Sequence, residues 1–198
     1  MSLRNRRLQS TFVRPESVSD SVVYESPWLV VRKVVKAMPS GAEAAFYLRD
    51  EPDVVVCLPF TEKQTCILVE EFRHGPDRSL FEIPGGNADP GESIVKAAER
   101  EVLEETGYAG EPVHLVSTWI SAYSRARKHI FLMRNARRVK EPDIADSELL
   151  RVLDVSLEDF VGVLKSGELT DLDAGLLCLE HLREGSPLRA ERSPESSP

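Results

Sequence analysis

Apolar residues recur along this chain at two spacings, and the change from one to the other divides it into elements. Alternating or continuous apolar runs at Ser21–Glu25, Trp28–Ala37, Ala44–Arg49, Val54–Phe60 and Thr65–Arg73 read as strands, with Thr61-Glu62-Lys63-Gln64 as a hairpin turn. Runs near Val113–Trp119, His129–Asn135 and Leu149–Val155 read the same way. From Gly91 to Tyr108 the period becomes helical: Pro90-Gly91 precede the segment, good helix formers fill it, and Gly107 stands where a left-handed terminal residue is wanted. A second helix fits Ser156–Gly167, with Ser as N-cap and Gly as terminator, and a last one fits Asp171–Leu182. The order predicts an α/β protein, a mixed sheet with helices on both faces, with a smaller sheet built from the strands before Val54.

Within Gly91–Tyr108, advancing by about 100° per residue groups Ile94, Val95, Ala98 and Val102 on one side. Glu101 and Glu105 fall within about 20° of Ile94 on the same projection, while Lys96, Glu99, Arg100 and Glu104 lie away from it. Like charges four residues apart repel, and turning them toward an apolar layer costs several kcal/mol in lost hydration, so this pair needs a counter-charge. Arg100 points elsewhere on the projection, and a divalent cation with oxygen ligands would supply what is missing. A solvated helix with local pairs such as Arg100 and Glu104 is the other reading of the same charges. The preceding run FEIPGGNADPGE, Phe81 to Glu92, describes a tight strand-to-helix loop in which Gly85 and Gly86 let backbone approach a metal or phosphate.

Gly86, five residues, Glu92, seven residues and then Arg100-Glu101-Val102-Leu103-Glu104-Glu105-Thr106-Gly107-Tyr108 resembles the signature of the Nudix hydrolases at every fixed position. The one departure is Tyr108, an aromatic where the pattern has an aliphatic. SPWLVVRKVV, DVVVCLPF, CILVEEFR and LFEIPGG resemble segments of the branch that cleaves ADP-ribose and related nucleoside diphosphate sugars. The resemblance implies a Nudix-type α/β/α sandwich and an Mg²⁺ site, with Mn²⁺ as a second possibility, held by Glu101, Glu104, Glu105 and the Gly85 carbonyl. It implies that Arg100 orients these glutamates and that a general base comes from the acidic loop Glu141–Val155, where Glu148 matches best and Asp146 is the alternative. Arg73 is implied to reach the diphosphate, Gly86 to line its approach, and Trp28 or Phe46 to stack on the base. His129 reads as structural, and His74 follows Arg73. Where the branch carries Pro-Gly beyond the box, this chain has Ser121-Ala122, which keeps GDP-mannose and dinucleoside polyphosphates open as substrates. A nucleotide sensor that does not cleave its ligand is a further alternative, although such sensors typically lose box glutamates. The branch also crosses its N-terminal strands to a partner subunit, which implies a homodimer.

Composition narrows the picture. The chain has 198 residues, 41% of them hydrophobic, enough for one good core, and a net charge of −8 that disfavours nucleic acid as a partner. No apolar run reaches the roughly 18 residues of a membrane helix. Cys57, Cys66 and Cys178 show neither metal spacing nor an even framework, so reduced thiols and a cytoplasmic enzyme are expected. The expected organisation is a disordered start at 1–18, an N-terminal dimerisation subdomain at 19–52, a catalytic domain at 53–183 and a loose tail rich in Ser, Pro and Glu at 184–198.

Overall fold

The computed structural model describes residues 13–27, 29–143 and 149–184. They form two compact units, one ending at Glu51 and including Ser121–Arg125, the other running from Pro52 to Ile120 and resuming at Ala126.

The first unit is an antiparallel sheet of β1 (Glu16–Glu25), β2 (Val30–Ala37) and β3 (Glu43–Asp50), in that spatial order. β1 opens at Glu16 rather than Ser21, so residues 16–18, assigned above to a disordered start, are strand. Arg32 fastens the sheet by pairing with Asp20 at 2.7 Å and Asp50 at 3.3 Å. Ser121–Arg125 joins this unit through the Arg49 N–H, which donates to the Tyr123 carbonyl at 2.8 Å, and through Arg125 on Asp20 at 2.6 Å.

The second unit is built on seven strands. β4 (Val54–Thr61), β5 (Thr65–Arg73), β6 (Arg78–Glu82) and β7 (Gly85–Asn87) precede α1 (Ile94–Thr106). Then follow β8 (Tyr108–Trp119), β9 (Arg127–Arg138), β10 (Leu150–Ser156), α2 (Leu157–Ser166) and α3 (Leu172–Glu184). The order is β10-β5-β4-β9-β8, with β6 on β5 and β7 on β4. β4 and β9 run parallel and the other pairs antiparallel, so the sheet is mixed. β4 and β5 share the register pair Phe60↔Cys66 beside their turn and then part. Beyond that point β5 takes β6 as neighbour and β4 takes β7, and the chain crosses from one to the other through Ile83-Pro84.

Strand alternation sorts the core into two layers. Leu58, Ile130 and Leu132 face α2 and α3 with Phe160, Leu164 and Cys178, whereas Val55, Cys57, Phe131 and Met133 face α1 with Ala97, Ala98 and Val102. Helices therefore cover both faces, as the sequence predicts. Two details differ. Val95 is exposed and Ala97 is buried in its place, because α1 starts at Ile94 behind the N-cap Ser93 and its apolar stripe centres on Ala98 and Val102. β7 was not anticipated, since Gly-Gly-Asn carries no strand pattern. The three cysteines are buried, and burial pushes the Cys66 and Cys178 thiols up to about 12, so they pack rather than react.

Phe160, fully buried, anchors α2 to the sheet. Phe160→Ala is expected to lower unfolding stability by about 3–5 kcal/mol through lost burial and a residual cavity. Urea denaturation measures it, and a loss under about 1 kcal/mol would mean that the site collapses freely.

Candidate active site

The site begins with two glycines. A Cβ on Gly85 would lie 2.2 Å from the Val55 carbonyl oxygen and 2.9 Å from Val56 Cα, so only glycine lets β7 approach β4 this closely. A Cβ on Gly86 would lie 2.5 to 2.7 Å from the carboxylate atoms of Glu101, so the bare backbone there is the seat of that carboxylate. The Gly85 N–H donates to Glu105 Oε2 at 3.2 Å. The loop thus holds the two inward glutamates of α1 against β7.

Arg100 is the second organising group. Its Nε and one terminal nitrogen donate to both oxygens of Glu92 at 3.1 and 2.9 Å, and it also reaches the Asn87 carbonyl at 3.0 Å. Its other terminal nitrogen donates to Glu101 at 2.8 Å and Glu104 at 3.3 Å. The expectation that Arg100 points away from the inward pair is therefore corrected: the projection follows the Cα–Cβ direction, and the long side chain bends back. The bonds to Arg100, first, and to the Asp89 N–H hold the Glu92 carboxyl below its ordinary range. Burial pushes Glu101 up against the pull of Arg100. Burial first, and then the charge of Glu101, push Glu105 up to about 8, with Glu71 and Glu82 adding to the shift and the Gly85 N–H opposing it.

Glu71 and Glu82 were missed in the sequence. Glu82 is 6% exposed at the end of β6, and Arg73 grips it with Nε on Oε1 at 2.6 Å and a terminal nitrogen on the other oxygen. The remaining terminal nitrogen pairs with Glu71 at 3.1 Å. A usable signal was the lone acid between Phe81 and Ile83 in an apolar run. Arg73, implied to reach a diphosphate, is committed at three nitrogens to these glutamates while its side chain stays 45% exposed.

Other candidates lie elsewhere. His129 is buried, accepts or donates at Ser117 Oγ at 2.7 Å and pairs with Asp53 at 3.2 Å, a bracing role between strands. Exposed His74 stands edge-on to Phe72. Phe46 is half-buried in β3. Trp28, Asp146 and Glu148 lie outside the described residues. The chain re-enters the described structure at Leu149, whose carbonyl accepts the Phe72 N–H at 3.1 Å, and β10 then pairs Leu150 with Glu71.

Among the described residues, no three His, Cys, Asp or Glu side chains are gathered closely enough to hold a metal ion as they stand. Glu101 and Glu104 are drawn to Arg100, and Glu105 to the Gly85 N–H. The donor set still fits a hard divalent ion: the carboxylates lie on adjacent turns of α1, Glu101 and Glu105 meet a glycine backbone, and every donor is oxygen.

The NUDIX domain matches residues 50–173. The chain belongs to the Nudix family. This Nudix hydrolase is 27% identical over 158 residues to the ADP-ribose pyrophosphatase of Bacillus subtilis (strain 168), covering 78% of this chain and 85% of that protein. It is 32% identical over 104 residues to the ADP-sugar pyrophosphatase of Mus musculus, covering 47% of this chain and 48% of that protein. The solved structure of an ADP compounds hydrolase matches with a TM-score of 0.77 at 20% identity, covering 89% of this chain and 98% of that one, so the fold is shared. Nudix hydrolases generally use divalent metals and act on small nucleotide substrates.

The state of Glu105 carries a prediction. Burial and the charge of Glu101 push its carboxyl up to about 8 in the fold, above the ordinary value of 4.5. The folded state therefore binds this proton more tightly, and without metal the Glu105 contribution to stability is lost as pH rises between those values. In EDTA, Glu105→Gln should melt higher than wild type at pH 8 and alike at pH 4, as read by thermal denaturation. Equal melting temperatures at pH 8 would show that Glu105 ionises there without penalty.

Proposed function

We propose that this Nudix hydrolase is a Mg²⁺-dependent pyrophosphohydrolase that splits ADP-ribose or a related nucleoside diphosphate sugar into a nucleoside monophosphate and a sugar phosphate. Mn²⁺ is the other metal that would serve. The observation that carries the reading is Glu101 packed against Gly86 and Glu105 held by the Gly85 N–H, with Arg100 joining Glu101 and Glu104 to Glu92. The similarity to the ADP-ribose pyrophosphatase of Bacillus subtilis supports the substrate class.

Glu101, Glu104, Glu105 and the Gly85 carbonyl would hold the cation, which when bound neutralises diphosphate charge and acidifies water. Arg100 keeps two of the three carboxylates aimed at the site while its bonds to Glu92 and the Asn87 carbonyl fix the loop. Gly86 leaves the loop backbone accessible to a phosphate. Glu148 takes the proton of the attacking water, a step of roughly 10²–10⁴-fold, and Asp146 is the substitute if it does not. Trp28 stacks on the base.

The chain acts as a homodimer in this reading. Its N-terminal sheet exposes Val22, Val23, Tyr24 and Tyr47, and β1 is an edge strand exposed along its whole length, which a second copy would cover.

Product formation from ADP-ribose, GDP-mannose, UDP-glucose, NADH and diadenosine polyphosphates, with Mg²⁺ or EDTA, tests the reading. One diphosphate sugar should be turned over in preference, and Glu101→Gln or Glu105→Gln should reduce kcat by orders of magnitude while the far-UV spectrum is kept. Ligand binding without turnover would favour a sensor. Glu148→Gln should slow single-turnover chemistry with metal affinity held, and an unchanged rate would move the base to Asp146 or elsewhere.

A further inference from the structure

Trp119 and Arg127 carry an inference that rests on reading the site as one for nucleotides. They are a cross-strand pair at the end of β8 and the start of β9, and the guanidinium carbon of Arg127 lies over the Trp119 ring, 4.4 Å from its centre. The arginine is itself fixed, because Nε donates to the Thr118 carbonyl at 3.0 Å and a terminal nitrogen to the Ser117 carbonyl at 2.5 Å. It therefore meets the indole as a planar cation against a π face. Trp119 is nevertheless 60% exposed. With one face capped by Arg127 and the residue unburied, the opposite face of the ring is open to a ligand.

The pair stands on the side of the sheet that carries the box helix. Alternation along β9 puts Arg127 and His129 on the same face as Phe131, which packs with Ala97, Ala98 and Val102 of α1. Three hydrogen bonds lead from the pair to the box. The Arg127 N–H donates to Asp53 Oδ1 at 2.8 Å, the Asp53 carbonyl accepts the Ala88 N–H at 2.9 Å, and the carbonyl of the adjoining Asn87 accepts Arg100 at 3.0 Å.

We propose that Trp119, backed by Arg127, is a stacking platform for a nucleobase of the substrate. Every base has a π face, and an aromatic side chain holds it by that face without reading its edges. A purine covers more of an indole than a pyrimidine does, so the platform favours adenine over uracil. Arg127 fixes the indole before the ligand arrives, which lowers the ordering cost that a free side chain carries on binding.

The test uses the chain's own fluorescence, since it has two tryptophans, Trp28 and Trp119. AMP, UMP and ribose 5-phosphate are titrated into Trp28→Phe and Trp119→Phe, and steady-state hydrolysis of ADP-ribose is then followed for wild type, Trp119→Phe and Trp119→Ala. In Trp28→Phe, where Trp119 is the remaining indole, AMP should quench the emission more strongly than UMP, and ribose 5-phosphate should leave it unchanged. Trp119→Ala should raise KM for ADP-ribose by roughly tenfold to a hundredfold, the scale of one lost base stack, with kcat little changed. Trp119→Phe should stay close to wild type, because it keeps a ring. No quenching in Trp28→Phe, equal quenching by AMP and ribose 5-phosphate, or an unchanged KM in Trp119→Ala would overturn the inference and leave Trp119 a brace for Arg127. The failures separate: if wild type hydrolyses no nucleotide substrate while AMP still quenches Trp119, the platform stands and the hydrolase reading falls.

Discussion

Charge balance where β4 and β5 part is the constraint from which the rest of the site follows. Arg73 serves Glu71 and Glu82, Arg100 serves Glu92, Glu101 and Glu104, and Glu105 is held by a backbone N–H. Two guanidinium groups thus face six carboxylates, several of them half-buried or buried. In a medium of low dielectric such an excess is unfavourable unless ions, protons or donors offset it. Burial first, and then the charge of Glu101 with Glu71 and Glu82 adding to it, push Glu105 up to about 8. A site that stores unbalanced negative charge is prepared for a small cation in a way that a fully paired one is not.

The sheet makes the crowding possible. If β4 and β5 stayed paired along their length, there would be no room for the chain between β6 and β7. Their divergence after Phe60↔Cys66 lets Glu82 end on one strand's neighbour and Gly85 begin on the other's, two residues of crossing apart. The Cys57 N–H donates to the Pro84 carbonyl at 2.9 Å, and the Ala88 N–H to Asp53 at 2.9 Å, so the crossing is pinned to β4 at both ends. Gly85 then has to be glycine because the backbone of β4 occupies the place of its side chain. At the other end of α1, Gly107 adopts a left-handed φ of 73°, and a Cβ there would sit 2.1 Å from the Lys140 carbonyl oxygen. Gly107, the last glycine of the motif, and Gly85, the residue just before its first, are the points where the helix and its loop press on neighbouring backbone.

What was legible in the sequence is what depends on local spacing. The α1 projection found Glu101 and Glu105 because both lie on one helix, and the caps of α2 at Ser156 and Gly167 were readable for the same reason. β1 was read short because Glu16 to Asp20 hold one apolar residue, Val18, whereas Ser21 to Glu25 hold Val22, Val23 and Tyr24. Glu71 and Glu82 escaped because their link to the site runs across β5 and β6, eleven residues apart in sequence. Arg100 was misplaced by the opposite error, a local rule applied too literally. A projection fixes where a side chain starts, and an arginine ends several bonds away. Charged partners of long side chains are therefore the part of a site that periodicity reads worst.

The way Arg100 divides its donors bears on how such a site could take up and release an ion. Nε and one terminal nitrogen serve Glu92 and the Asn87 carbonyl, which belong to the loop, whereas the other terminal nitrogen serves Glu101 and Glu104, which belong to the helix. A cation approaching Glu101 competes with one nitrogen and leaves the loop-directed edge in place. The loop can then keep its position whether or not Glu101 is engaged by the arginine. Had a lysine stood at this position, its single ammonium would have had to choose between loop and helix, and uptake of an ion would loosen the glycine backbone it is meant to meet. The forked charge separates the task of holding the loop from the task of shielding the helix, and that separation is what allows the same residues to be ordered before the ion arrives and after it.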